Sequence, residues 1–355
     1  MRQQRTRSEG VGTGQASVAV LCSPTDKDSV PFDQPTGTPI RIGALLTLTF
    51  LLLFSLISPE TAVADTPDGE WDGWTIDDGV WEIGVPTAGP GGCYSGETCA
   101  GTVLDGYYPQ HTDSRLIAAP TTLPTVSGAE GVYLRLWQWF TYSDDNGAVE
   151  LAVYDPATQV WSDWQRLAEV DGAAAVWSPL QLDVSAFAGR QVRLSFLHLG
   201  GYYTNAGWFL DDIAFARRTP SLPALEDFAG GWGDWSADNG VWEVGTPSAG
   251  PAGCYSGDQC AGTVLDGHYP QHTDSRLIAA PTTLPTVSGA EGVYLRLWQW
   301  FTYSDDNGAV ELAVYDPATQ VWSDWQRLAE VDGAAAVWSP LQLDVSAFAG
   351  RQVRL

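Results

Sequence analysis

The chain has 355 residues, 44% hydrophobic and 17% charged, with 38 Gly and 22 Pro, a globular composition rich in turns rather than a disordered or fibrous one. Its formal net charge is −26, and the whole imbalance lies beyond residue 64, where there are 12 Arg and no Lys. A surface this acidic repels a phosphate backbone and anionic lipid, which argues against nucleic acid and membrane surfaces as partners and leaves cations as the attracted species.

The first predicted element is a leader over residues 1–64. Arg41 is followed by the apolar run "IGALLTLTFLLLFSLI" from Ile42 to Ile57, then by "SPETAVADT" with small residues at Ala62 and Ala64. This is the pattern of a secretory signal peptide, at about 41–64, cut before Asp65. The run is short for a membrane span, and no basic cluster follows it. The expectation is a secreted or cell-surface protein with no membrane insertion after cleavage. Cys22 would leave with the leader, and the four remaining cysteines, Cys93, Cys99, Cys254 and Cys260, suit an oxidising compartment.

Beyond the leader the chain repeats itself. "CYSGETCAGTVLDGYYPQHTDSRL" from Cys93 returns as "CYSGDQCAGTVLDGHYPQHTDSRL" from Cys254, and Tyr108 to Leu194 recurs unchanged as Tyr269 to Leu355. The repeat defines copy one at 65–219, a linker at 220–225 and copy two at 226–355. Copy one continues through "SFLHLGGYYTNAGWFLDDIAFARR", whereas copy two as given stops at the counterpart of Leu194. The second copy is therefore expected to be C-terminally truncated.

Within a unit the predicted elements are strands: "VYLRLWQWFTY", "AVELAVY", "LQLDVSAFA", "QVRLSFLHL" and "GWFLDDIAF", each bounded by Gly, Pro, Asp or Asn. No stretch has a helical period. The "SDDNG" at Ser143 to Gly147 reads as a solvated turn between the first two. Alternation places Val149, Leu151 and Val153 on one face, as it does Val192, Leu194 and Phe196. Half-buried strands of this kind pair into two packed sheets. The predicted fold is all-β, a tandem of jelly-roll (concanavalin-like) β-sandwiches.

The segments "GVWEIGVPTAGP", "YSGETCAGTVLDGYYP", "SRLIAAP", "LRLWQWF", "WSPLQLDVSAFAGRQVRLSF" and "AGWFLDDI", in that order, resemble the MAM-like jelly-roll module. Such modules occur in bacterial surface proteins and as accessory domains of immune inhibitor A type metallopeptidases. The resemblance covers almost all of copy one and most of copy two. It implies a module, not an activity, and related modules often hold structural calcium.

Cys93 and Cys99 close a seven-residue ring, as do Cys254 and Cys260. Each is expected to be a local disulfide worth about 2 kcal/mol on a chain-entropy estimate. The spacing departs from that of zinc sites. None of the four histidines, His111, His198, His268 and His272, lies in an H-E-x-x-H, and no G-x-S-x-G occurs. Adjacent residues of "HTDS" point apart, so that segment reads as a capped turn and no catalytic residue is assigned.

Aromatic residues are the main binding candidates. In "YLRLWQWFTY", Tyr133, Arg135, Trp137 and Trp139 share one face, opposite the face of Leu134 and Leu136 that meets the core. With their copies Trp298 and Trp300, the tryptophans are expected either to stack on sugars from an outer sheet surface or to serve as packing. In "GWFLDDI", Asp211 shares a face with Phe209, Ile213 and Phe215, and Asp212 with Trp208 and Leu210. A carboxylate drawn into such surroundings needs a partner. Backbone donors would serve, as would a calcium ion held by Asp211 or Asp212 with Asp68 or Glu70. The function expected is non-catalytic adhesion or binding of an extracellular glycan or protein. The alternative is an accessory region of a secreted hydrolase.

Overall fold

The computed structural model describes residues 15–22, 71–128, 130–219, 225–289 and 291–355, and of 15–22 the backbone alone. The predicted signal peptide, linker residues 220–224, and the acids Asp68 and Glu70 lie outside the described residues.

Copy one is two antiparallel layers that share one strand, Gly131–Asp155. Its N-terminal half pairs with Ser178–Asp183 on one side and Gly207–Arg218 on the other. That layer continues through Cys99–Thr102 to Trp81–Gly84. The C-terminal half pairs with Gln165–Ala173 and Gln191–Leu199, and the second layer continues through Asp113–Ile117 to Thr75–Asp77. The result is a jelly-roll β-sandwich, as the alternation predicts. The "SDDNG" segment is not a turn between two strands. The strand runs through it, with a register shift against Gln165–Ala173 between Thr141 and Asn146 and a left-handed Asp144 (φ 60°). Such irregularities bend a strand, and here the bend carries the chain from one layer into the other.

The core between the layers follows the alternation. Leu134, Leu136 and Phe140 from the first half of the long strand meet Val149, Leu151 and Val153 from the second, with Val192, Leu194 and Phe196. Trp208 and Leu210 close the set. Trp208 is fully buried, 5.9 Å from Trp81 and 5.5 Å from Phe196 between ring centroids. Its indole N–H donates to Gln138 Oε1 at 3.2 Å, which explains a buried Gln on the apolar face.

One expected alternation is broken. The pairing of Gly207–Arg218 with the long strand shifts register between Asp211 and Ala214, and Asp212 has φ 49°. This bulge changes the phase of the strand. Phe209 and Asp211 stay on the outer face, whereas Ile213 and Phe215 pack against the core rather than beside Asp211.

Copy two repeats the plan around Tyr294–Asp316, which pairs with Ser339–Asp344, Gln326–Ala334 and Gln352–Arg354. Between it and Cys260–Thr263 lies Gln15–Cys22, with Val18 opposite Trp300 and Gly262. Phe209 holds the equivalent register in copy one, opposite Trp139 and Gly101. A cavity of about 1210 Å³ in copy two is lined by Phe228, Trp235, Trp242, Tyr269, Trp300 and Leu355. The copies meet through the turn before Trp235: Arg218 pairs with Asp234 at 2.5 Å, and Arg135 Nη2 donates to the carbonyl of Gly233 at 3.3 Å.

Candidate ligand-binding surface

The repeated cysteine loop lies over the outer face of the first layer. Cys93–Cys99 and Cys254–Cys260 are both disulfides, with Cα atoms 5.5 and 5.6 Å apart, as the spacing predicts. The loop is fixed from outside the ring as well. Trp177 Nε1 donates to the carbonyl of Gly92 at 3.3 Å, the Ser95 amide donates to Asp211 Oδ2 at 2.9 Å, and the Ser95 hydroxyl donates to Asp212 Oδ1 at 2.7 Å.

Held this way, the loop lays Tyr94 flat on Trp137, with centroids 3.6 Å apart and an interplanar angle of 13°. Trp177 stands tilted at 6.3 Å from Tyr94, and Trp232 meets Trp137 edge-on at 6.2 Å. Copy two builds the same group: Tyr255 lies on Trp298 at 3.8 Å and 12°, with Trp338 at 6.3 Å. Trp338 Nε1 donates to the carbonyl of Gly253 at 3.0 Å, as Trp177 does to Gly92. Tyr94 and Tyr255 remain 42% and 44% exposed. Burial pushes the Tyr94 hydroxyl above its ordinary pKa, and the charges of Asp212 and Asp211 add to this, so it stays a neutral donor.

The predicted face is therefore correct for the tryptophans but not open in the way a bare strand suggests. Trp137 lies under Tyr94 and Trp298 under Tyr255. Trp139 packs edge-on against Phe209 at 5.6 Å, beneath Gly89. A Cβ on Gly89, whose φ is +74°, would come within 2.6 Å of the Phe209 ring. Trp300 and Tyr133 are both 8% exposed, and Arg135 is engaged by Gly233. The ring that reaches solvent is the tyrosine between the two cysteines. Its only signal in the sequence is its place inside the cysteine bracket of both copies.

Asp211 is fully buried, and its partners are now visible. Oδ2 accepts the Ser95 amide and Oδ1 accepts the amide of Asp212 at 2.9 Å. Burial raises the Asp211 pKa and the neighbouring Asp212 charge adds to this, while the Ser95 and Asp212 amides work in the opposite direction. Asp68 and Glu70, the other acids expected at a calcium ion, lie outside the described residues. Cys93 and Cys99 lie beside Asp211, but their sulfurs are joined to each other and offer no thiolate.

The histidines of copy one do not converge on an active site. His198 is fully buried, with Tyr142 Oη 3.2 Å from Nδ1 and Thr112 Oγ1 3.4 Å from Nε2. Burial lowers its pKa to about 4, so it is neutral. His111 is exposed, and its amide donates to the carbonyl of Gly201 at 2.8 Å. Ser114, opposite His198 in the strand pairing, donates its Oγ to the carbonyl of Asp77 at 2.6 Å.

No family model matches the chain. Over 140 residues it is 27% identical to Bacillopeptidase F of Bacillus subtilis (strain 168), an alignment that spans 39% of this chain and 9% of that protein. Among solved structures it is similar to the K1 cleaved adhesin domain of Lys-gingipain from Porphyromonas gingivalis W83, at 19% identity and a TM-score of 0.29, covering 41% of this chain and 90% of that one. It is also similar to the tandem CBM22-1–CBM22-2 domain of Paenibacillus barcinonensis Xyn10C, at 14% identity and a TM-score of 0.27, covering 79% of this chain and 84% of that one.

Proposed function

We propose that this chain is a secreted, non-catalytic binding protein of two MAM-like β-sandwich modules that recognises a neutral extracellular glycan. The observation that carries this reading is the ring pair Tyr94 on Trp137, built again as Tyr255 on Trp298. A tyrosine backed by a tryptophan and pinned by a disulfide has lost its rotamer freedom before any ligand arrives. Its half-exposed ring is a flat apolar surface of the kind that stacks on the C–H face of a pyranose, and its hydroxyl is a donor at the rim. The spare acidic charge of the chain weighs against anionic glycans. Two disulfides support an oxidising, extracellular setting. The deciding experiment is retention of the full chain on insoluble polysaccharide, compared with a Tyr94→Ala, Tyr255→Ala variant.

The match to Bacillopeptidase F supports a second reading, in which the chain is an accessory region of a secreted peptidase. A hydrolytic domain encoded in the same reading frame as these two modules would favour it.

A further inference from the structure

One end of copy one carries a different group of exposed rings. Tyr107, Tyr202 and Tyr203 are 65%, 75% and 56% exposed, and the His111 ring meets Tyr202 edge-on at 4.9 Å. Rings so exposed add little to folding, yet the backbone that carries them is tightly held. The Tyr108 amide donates to the carbonyl of Asn205 at 3.0 Å, the His111 amide to Gly201 at 2.8 Å, and the Gly200 amide to Thr112 at 2.6 Å. These bonds zip loop 105–112 to loop 199–206. Gln110 Nε2 adds a bond to the carbonyl of Tyr202 at 2.5 Å.

Beneath the loops lies a buried polar network. Asp145 is 5% exposed and accepts the Tyr108 hydroxyl at 2.6 Å and the Gly201 amide at 2.6 Å. His198 sits beside it between Tyr142 and Thr112. The loop lies so close to this network that a Cβ on Gly201 would stand 2.5 Å from Asp145 Oδ1. Asn205 Nδ2 donates to Ser143 Oγ at 2.7 Å and ties in the bend of the long strand, which presents the exposed carboxylate of Asp144. Satisfied networks of this kind rigidify what they support, and a rigid platform binds at a lower entropic cost.

We infer that this loop end is a second carbohydrate site, in which Tyr202 and Tyr203 stack on a neutral pyranose while His111, Asn205 and Asp144 meet its hydroxyls. The inference rests on the reading of the protein as a glycan binder and adds a site on a different surface from Tyr94. Neutral sugars fit the chemistry, because Asp144 and the acidic field of the chain repel uronic acids and sulfated sugars. In copy two the position of Tyr107 is taken by His268, so the platform is not an automatic consequence of the repeat.

The test is affinity electrophoresis of the full chain in gels containing soluble galactan, xylan or glucomannan, with heparin as the anionic control. Wild type should be retarded by at least one neutral polysaccharide and not by heparin. Tyr202→Ala with Tyr203→Ala should weaken that retardation at least about tenfold without moving the melting temperature, and Tyr202→Phe with Tyr203→Phe should keep most of it. Wild-type binding that the Ala pair leaves intact overturns this site but not the glycan reading, and so does a melting point lowered by the Ala pair. No retardation of wild type by any of the three polysaccharides overturns both.

Discussion

The carboxylate of Asp211 accepts the amide of Ser95, 116 residues earlier in the chain, and together with the Ser95 hydroxyl on Asp212 this ties the disulfide loop to the last strand of copy one. Both Asp211 oxygens are engaged by amides, so an anion buried on a sheet face is satisfied without a metal. In Asp211→Asn the side-chain NH2 must face one of the two amide donors. The expected cost is about 1–3 kcal/mol, read as a lower urea midpoint at unchanged slope. The melting temperature of wild type should be the same in millimolar calcium and in chelator. A rise of several degrees with calcium would place an ion at these acids, since a ligand held only by the folded state stabilises it by mass action.

His198 makes the stability of copy one depend on pH. Its folded pKa of about 4 lies below the unfolded value of about 6.5. Between those values the unfolded chain binds a proton that the folded protein refuses. Stability is therefore full above about pH 6.5 and falls as the pH drops towards 4. The size, if the other groups are unchanged, is of order 3 kcal/mol. Denaturant midpoints for wild type and His198→Gln should differ in slope across this window, with the flatter curve for the variant. Parallel curves would show that the ring is reached by protons in the folded state.

Much of the fold was legible in the sequence because it is written in local alternation. Leu134, Leu136 and Phe140 alternate towards the core, Trp137 and Trp139 away from it, and the cysteine spacing closes its own ring. What escaped notice depends on contacts across long separations. Asp145 reads as part of a solvated turn until Tyr108 and Gly201 arrive from distant loops to cover it. The bulge at Asp212 breaks a period that the residues themselves do not announce. Tyr94 looks like an ordinary loop residue until the Ser95 bond lays its ring on Trp137. In each case the surroundings of the residue are set by its neighbours in space rather than by its neighbours in sequence.

The ring pair of the outer face separates binding from packing by mutation. Trp137 lies between Tyr94 and Trp232, so Trp137→Ala leaves a void and an unsupported loop. It should cost about 2–4 kcal/mol and lower the melting temperature by several degrees. Tyr94→Ala removes a half-exposed ring and should cost under about 1.5 kcal/mol while weakening glycan retention several-fold. If Tyr94→Ala unfolds the domain as readily as Trp137→Ala and leaves retention untouched, the rings are packing and the surface reading fails.

Gly207 offers a severe single change outside the apolar core. It opens the last strand of copy one with φ +84°, a conformation that L side chains rarely adopt, and a Cβ there would stand 1.9 Å from Thr102 Oγ1. That hydroxyl cannot step aside without loss, because it accepts the amide of Trp208 at 2.9 Å and donates to the carbonyl of Ala206 at 3.4 Å. Gly207→Ala therefore combines backbone strain with a broken buried hydrogen bond. Each contributes about 1–3 kcal/mol, enough together to consume a large part of a typical domain's stability. Gly230→Ala serves as the control, since its Cβ would meet nothing within 4 Å and its φ is not left-handed. The expected result is a large fall in the urea midpoint for Gly207→Ala and almost none for Gly230→Ala, with Trp208 fluorescence reporting the loss of the buried indole. Equal midpoints would mean that the strand can enter the sheet by another backbone path and that the Thr102 seat is not what fixes it.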